Sequence, residues 1–147
     1  MILDNFAEFG DAATLVGTAA STYVLGDVMD LGSTSQDIGN GEPLYLVVRI
    51  STAVEASGGA ANVTFKLVSD SVASLDNSAT VHLNSGAIAK GTLIAGYTVF
   101  AVALPLGTYE RYLGVTYTPD TNNTTAGAAD AFLTKSIAKW VATADGI

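Results

Sequence analysis

"PLYLVVRIST", residues 43–52, repeats with a period of two: Leu44, Leu46, Val48 and Ile50 fall on one face, and Tyr45, Val47 and Arg49 on the other. The run is rich in Val, Ile and Leu, and "GNGEP" (39–43) punctuates its start, so it reads as a half-buried strand. The same test passes for "ANVTFKLVSD" (61–70; Val63, Phe65, Leu67), "ATVHLN" (79–84; Val81, Leu83) and "YTVFAVALP" (97–105; Phe100, Val102 and Leu104 against Val99, Ala101 and Ala103). It passes again for "RYLGVTYT" (111–118) and, less cleanly, for "DAFLTKSI" (130–137). "ATLVGTA" (13–19) and "STYVLGDVMDL" (21–31) are weaker candidates.

Between these runs lie "SGGAAN", "DSVASLDNS", "NSGAIAKG", "LPLGTYE" and "TPDTNNTTAGAAD", rich in residues that tolerate positive φ or hydrogen-bond their own backbone. Strands spaced this way, without intervening helical patterns, predict an all-β antiparallel sandwich of about eight strands. A jelly roll leads, and an immunoglobulin-like sandwich is the alternative. "LPLGTYERYLGVTYT" (104–118) reads as a hairpin: a strand to Pro105, a turn over 106–110, and a return strand from Arg111 with Leu113, Val115 and Tyr117 inward. Gly114 in mid-strand predicts a bulge or the close approach of another backbone.

At 147 residues the chain fits one domain. Its start departs from the strand pattern, because Ile2, Leu3, Phe6 and Phe9 recur at helical spacing. A helix that short is marginal alone in water. The reading is an N-terminal arm, 1–11, ahead of a sandwich domain, 12–147, docking on its own sheet or on a neighbouring subunit. Deleting residues 1–9 is then expected to leave a folded domain.

Charge narrows the partners. The formal net charge is −8, and Asp4, Glu8, Asp11, Asp27, Asp30, Asp37 and Glu42 all precede the first basic residue, Arg49. The six basic residues are scattered and form no stripe for phosphate backbones, so direct nucleic-acid contact is not expected. No window reaches the ~20 apolar residues of a membrane span, and "MILDNFAEFG" carries acids where a secretory leader has Lys or Arg. The expectation is a soluble protein made in the cytoplasm, with no membrane contact. Only 14% of residues are charged, which fits equally a surface partly covered by a partner and a large, Ala-rich core with Ser, Thr and Asn outside.

Chemistry-bearing patterns are sparse. The chain has no cysteine, hence no disulfide, thiolate nucleophile or Cys-based zinc site. His82, the sole histidine, is predicted to share the polar face with Thr80 and Asn84. "GNGEPL" has Leu44 where a dinucleotide loop needs its third Gly. "DTNNTTAGAADA" (120–131) opens with an EF-hand ligand order, then fails with Thr125 at position six and Ala131 at position twelve. Asp27, Asp30 and Asp37 read as a solvated acidic face. No catalytic residue, metal site or cofactor is assigned. A carbohydrate-binding role would use Tyr23, Tyr97, Tyr109, Tyr112 or Trp140, which the sequence does not cluster; Trp140 in "SIAKWVATADGI" is the more natural anchor of a terminal segment.

"MILD", "DIGNGEPLYLVV" (37–48) and "SGAIAKGTLIAGYTVFAVALPLGTYERYLGVTYT" (85–118) together resemble the small capsid cement, or decoration, proteins of tailed double-stranded-DNA bacteriophages. The resemblance runs nearly end to end and is strongest over 85–118. It departs in "DVMDLGSTSQD" and "EASGGAAN". It implies a jelly roll with a non-enzymatic, structural role on the outer surface of the virion. There it would bind seams between major capsid subunits and hold the shell against the pressure of packaged DNA. It also implies contact with other copies of the chain, as a dimer or else a trimer. The candidate capsid or subunit interface is Ile2, Leu3, Phe6 and Phe9 of the arm, with Tyr97, Tyr109, Glu110 and Arg111 at a sandwich end. Deleting 1–9 should then abolish attachment to shells. The competing reading is a carbohydrate-binding module displayed on the virion, which calls for a solvent-facing aromatic platform.

Overall fold

The structure, a computed structural model, describes residues 7–32, 38–39 and 41–137. Nine strands run through them: β1 (Glu8–Thr14), β2 (Tyr23–Val24), β3 (Met29–Asp30), β4 (Tyr45–Ala56), β5 (Asn62–Asp70), β6 (Thr80–Ala89), β7 (Thr98–Ala103), β8 (Tyr112–Asp120) and β9 (Thr124–Thr134). They form two antiparallel sheets, one in the order β1-β9-β4-β7 and one in the order β2-β8-β5-β6, with β3 also on β8. The short β2 and β3 share β8 as partner, so they act as two pieces of one strand position. The pairs then nest, first strand with last and inward to β5 with β6, as when one long hairpin is rolled into a sandwich. That is a jelly roll. An immunoglobulin-like sandwich pairs several consecutive strands, whereas β5 and β6 are the sole consecutive neighbours among the described residues.

The period-two faces meet in one core. Leu46, Val48 and Ile50 from β4, Val63, Phe65 and Leu67 from β5, and Leu113, Val115 and Tyr117 from β8 are all buried, alongside Phe9, Leu15, Leu25, Leu93, Phe100 and Tyr109. Each such side chain contributes about 1.5–3 kcal/mol gross by leaving water.

Four expectations change. The first concerns the arm. Phe9 lies in β1, 1% exposed in the core, so residues 8–11 are part of the sandwich rather than a helix. The strand wins because β9 and Asp27 satisfy its backbone: the Phe9 carbonyl accepts the Asp27 N–H at 2.6 Å. Deleting residues 1–9 would therefore empty a core site, so it is not a neutral truncation. Ile2, Leu3 and Phe6 lie outside the described residues, as do Asp37 and Trp140.

The second is the hairpin. β7 pairs with β4 and β8 pairs with β5, β2 and β3, so residues 104–111 cross from one sheet to the other. Leu104 still donates its N–H to the Leu44 carbonyl at 2.8 Å, and the chain then turns so that Tyr109 fills the core. The Tyr109 hydroxyl donates to the Pro105 carbonyl at 2.6 Å, bracing the crossing from inside.

Third, no bulge occurs at Gly114; its register with Val68 is regular. What approaches is a side chain: the Cδ1 of Leu75 sits where a Cβ would stand. The loop after β5 thus folds over the outer face of its sheet, with Leu75 3% exposed as the plug. Fourth, β9 begins at Thr124, within a stretch whose Thr, Gly and Ala content reads as a turn. Its place between β1 and β4 overrides weak intrinsic preference, and the Thr124 hydroxyl donates to the Leu15 carbonyl.

Candidate functional site

The residues singled out at the sandwich end are largely committed to the domain itself. Tyr109 is fully buried, and Tyr97 packs half-buried against the core while its carbonyl accepts the Ile50 N–H at 2.8 Å. Arg111 makes a two-pronged contact with Asp30, Nε to Oδ1 and Nη2 to Oδ2, each at 2.9 Å. It also lies 5.0 Å over the Tyr112 ring. The Arg111 guanidinium holds the Asp30 carboxyl below its ordinary range, helped by the Gly32 N–H. This pair staples β3 onto β8. Both side chains remain nearly half exposed, so solvent screens the pair and it positions β3 more than it stabilises the fold. Asp30 is thereby spent, and among the described residues no three His, Cys, Asp or Glu side chains gather to hold a metal ion.

Glu110 enters a cluster with no sequence signature. In β6 the register steps from Leu83 opposite Leu67 to Val81 opposite Val68, leaving His82 as the extra residue of a bulge. The bulge turns its ring away from the open polar face. His82 Nε2 lies 2.7 Å from Ser69 Oγ, and its ring packs against Tyr109 with centroids 4.2 Å apart. Glu110 donates its backbone N–H to Ser69 Oγ at 3.1 Å, and its Oε1 accepts from the Thr80 hydroxyl at 2.8 Å. Burial pushes the His82 pKa down, while the Glu110 charge pulls it partly back. A neutral ring suits the geometry: Ser69 Oγ accepts from the Glu110 N–H and gives its own proton to an unprotonated Nε2. A serine, a histidine and a carboxylate thus converge. Ser69 is 0% exposed, however, so its oxygen cannot meet a substrate. The trio braces the β7 to β8 crossing from the opposite sheet.

The surface feature that stands out is the edge of the first sheet. From Gly91 to Tyr109 the chain carries no charged residue. This stretch runs along β4: Val54 N–H donates to Leu93 O at 3.0 Å, Ile50 N–H to Tyr97 O at 2.8 Å, and β7 completes the edge. It also holds three of the six exposed large hydrophobic residues among those described, Ile94 at 58%, Val102 at 39% and Leu106 at 79%. The bond from Leu104 N–H to Leu44 O fixes the alternation along β7. Val102 and Phe100 turn their backbone groups toward β4, and Ala101 and Ala103 turn theirs outward. Ala101, Val102 and Ala103 are exposed. The sequence offered one clue to this surface, the uncharged run itself, but nothing in it said that the run lies on an edge.

A family model described as Bbp16 matches residues 9–133, most of the chain and nearly all of the sandwich from Phe9 in β1 to Leu133 in β9. The chain belongs to the Bbp16 family. The matched span contains both features described above, the His82 brace and the uncharged edge. A comparison with curated proteins finds no match.

Proposed function

We propose that this chain is a structural virion protein that binds the outer surface of a phage capsid and cements neighbouring major capsid subunits. The observation that carries the reading is the sheet edge within the uncharged stretch from Gly91 to Tyr109, where Ile94, Val102 and Leu106 are exposed, on a chain of net charge −8. An exposed apolar strand edge invites unwanted pairing unless a partner covers it. The resemblance to capsid cement proteins is strongest over residues 85–118, the stretch that includes this edge. A rigid sandwich that binds assembled shell but not separate subunits stabilises assembly by mass action. Many copies make modest individual contacts sufficient. The acidic surface disfavours contact with DNA and suits a place outside the shell. In this reading Ile2, Leu3 and Phe6 belong to the arm, self-contact is as a dimer or else a trimer, and no catalysis or cofactor is involved.

The carbohydrate-binding alternative calls for an aromatic platform. The exposed large hydrophobic residues among those described are Val16, Val72, Val81, Ile94, Val102 and Leu106, none of them aromatic. Co-sedimentation of the full chain with emptied shells of the phage that encodes it tests the proposal. Saturable binding at a fixed number of copies per shell is the expected result. No binding to shells, with retention on cell-surface glycan, would overturn it.

A further inference from the structure

Resting on the capsid-binding reading, we infer that β7 is an acceptor strand: an extended, uncharged segment of a shell subunit adds to it, making a fifth strand of the four-stranded sheet. Three of the sandwich's edges are blunted in ways that discourage such pairing. β1 carries two register shifts and a left-handed Ala12, whose N–H is taken by Asp130 Oδ1 at 2.8 Å. β6 carries two shifts and a left-handed Gly86, and Ser85 Oγ accepts the Phe65 N–H at 2.9 Å within the first. β2 and β3 are two residues each. β7 alone keeps a straight run, Phe100–Ala103, with register against β4 unbroken from Tyr45 to Val48.

Along that run the outward-turned N–H and C=O groups of Ala101 and Ala103 have no partner strand among the described residues, where β4 is the one neighbour of β7. The two side chains at those positions are methyl groups, so an incoming backbone meets no bulk. Val102 and Leu106 offer apolar contact beside them. Strand addition uses this combination: main-chain bonds hold the peptide and alternate side chains set its register.

The occupant is a shell segment rather than a second copy because the straight run is only Phe100–Ala103. An edge this short falls well below the ~1,000 Å² that a stable free dimer needs, whereas repetition over a shell makes it adequate, and self-contact of the chain then uses another surface.

The test uses the full chain and shells, with two variants. Ala101→Pro deletes the outward N–H without touching the ladder to β4, and Ala103→Lys puts a charge on the edge. Each should weaken shell binding at least about tenfold, with a melting temperature near wild type. Independently, hydrogen exchange in wild-type peptides spanning 98–104 should slow on shell binding by about a hundredfold. If wild type binds shells but both variants bind as tightly and exchange is unchanged, strand addition is overturned while the cement role stands. If the edge amides are already protected in a shell-free dimer that Ala103→Lys dissociates, the occupant is a second copy and the inference fails. Wild type that never binds shells removes the parent reading and this one with it.

Discussion

Gly26 reports on where Phe9 sits, and replacing it by alanine gives a quantitative test. Gly26 has φ of +71°, and a Cβ built there would collide with the Phe9 carbonyl oxygen. Gly32 has nearly the same backbone, φ of +79°, with nothing within 4 Å of its would-be Cβ. Gly32→Ala should therefore cost only the left-handed penalty, about 1–2 kcal/mol. Gly26→Ala carries that cost plus the loss of the Asp27 N–H to Phe9 O bond, worth about 0.5–1.5 kcal/mol net. It also displaces a core ring whose complete removal would cost about 3–5 kcal/mol. We expect about 3–5 kcal/mol in all for Gly26→Ala, near 10 °C in melting temperature at about 2–4 °C per kcal/mol for a chain of this size. Urea unfolding of the two variants with wild type supplies the difference. If the two agree within about 0.5 kcal/mol, Phe9 is not held against Gly26, and the first strand belongs elsewhere, on a neighbouring subunit for example.

Further outcomes follow from the same contacts. His82, the sole histidine, has its folded-state pKa lowered by burial, so the unfolded chain binds the proton more readily; stability should fall as pH drops below about 6.5, and His82→Gln should flatten the urea midpoint between about pH 7 and 5. A midpoint equally steep in the variant would refute the brace. Leu75→Ala should cost about 2–5 kcal/mol by unplugging the outer face, while Gly114→Ala, harmful alone, should be milder in the Leu75→Ala background because its obstacle is gone; strict additivity in a double-mutant cycle would contradict the contact. Ser51 Oγ is buried with no hydrogen-bond partner among the described residues, so Ser51→Ala should be neutral or stabilising by up to about 1 kcal/mol in thermal melts.

The core was legible in the sequence wherever one strand face is buried, because a period of two forces Leu46, Val48 and Ile50, or Leu113, Val115 and Tyr117, to the same side whatever lies opposite. Phe9 could not be placed this way: one apolar residue among Glu, Gly, Asp and Ala has no period, and its partners Asp27 and β9 are remote in sequence. The candidate site was legible only in part. Tyr109, Glu110 and Arg111 stand together in the sequence by adjacency alone, and what they touch, Pro105, Ser69, Thr80, His82 and Asp30, depends on how two sheets are stacked.

Local pattern therefore determined that this chain makes amphipathic strands, with an uncharged stretch from Gly91 to Tyr109. Tertiary structure alone decided which strands are neighbours. Hydrogen-bond pairing in a jelly roll joins residues far apart in sequence, so the separation of β7 from β8 onto different sheets appears in no local window. The same pairing makes β7 an edge among the described residues, and an edge is a property of what is absent beside a strand.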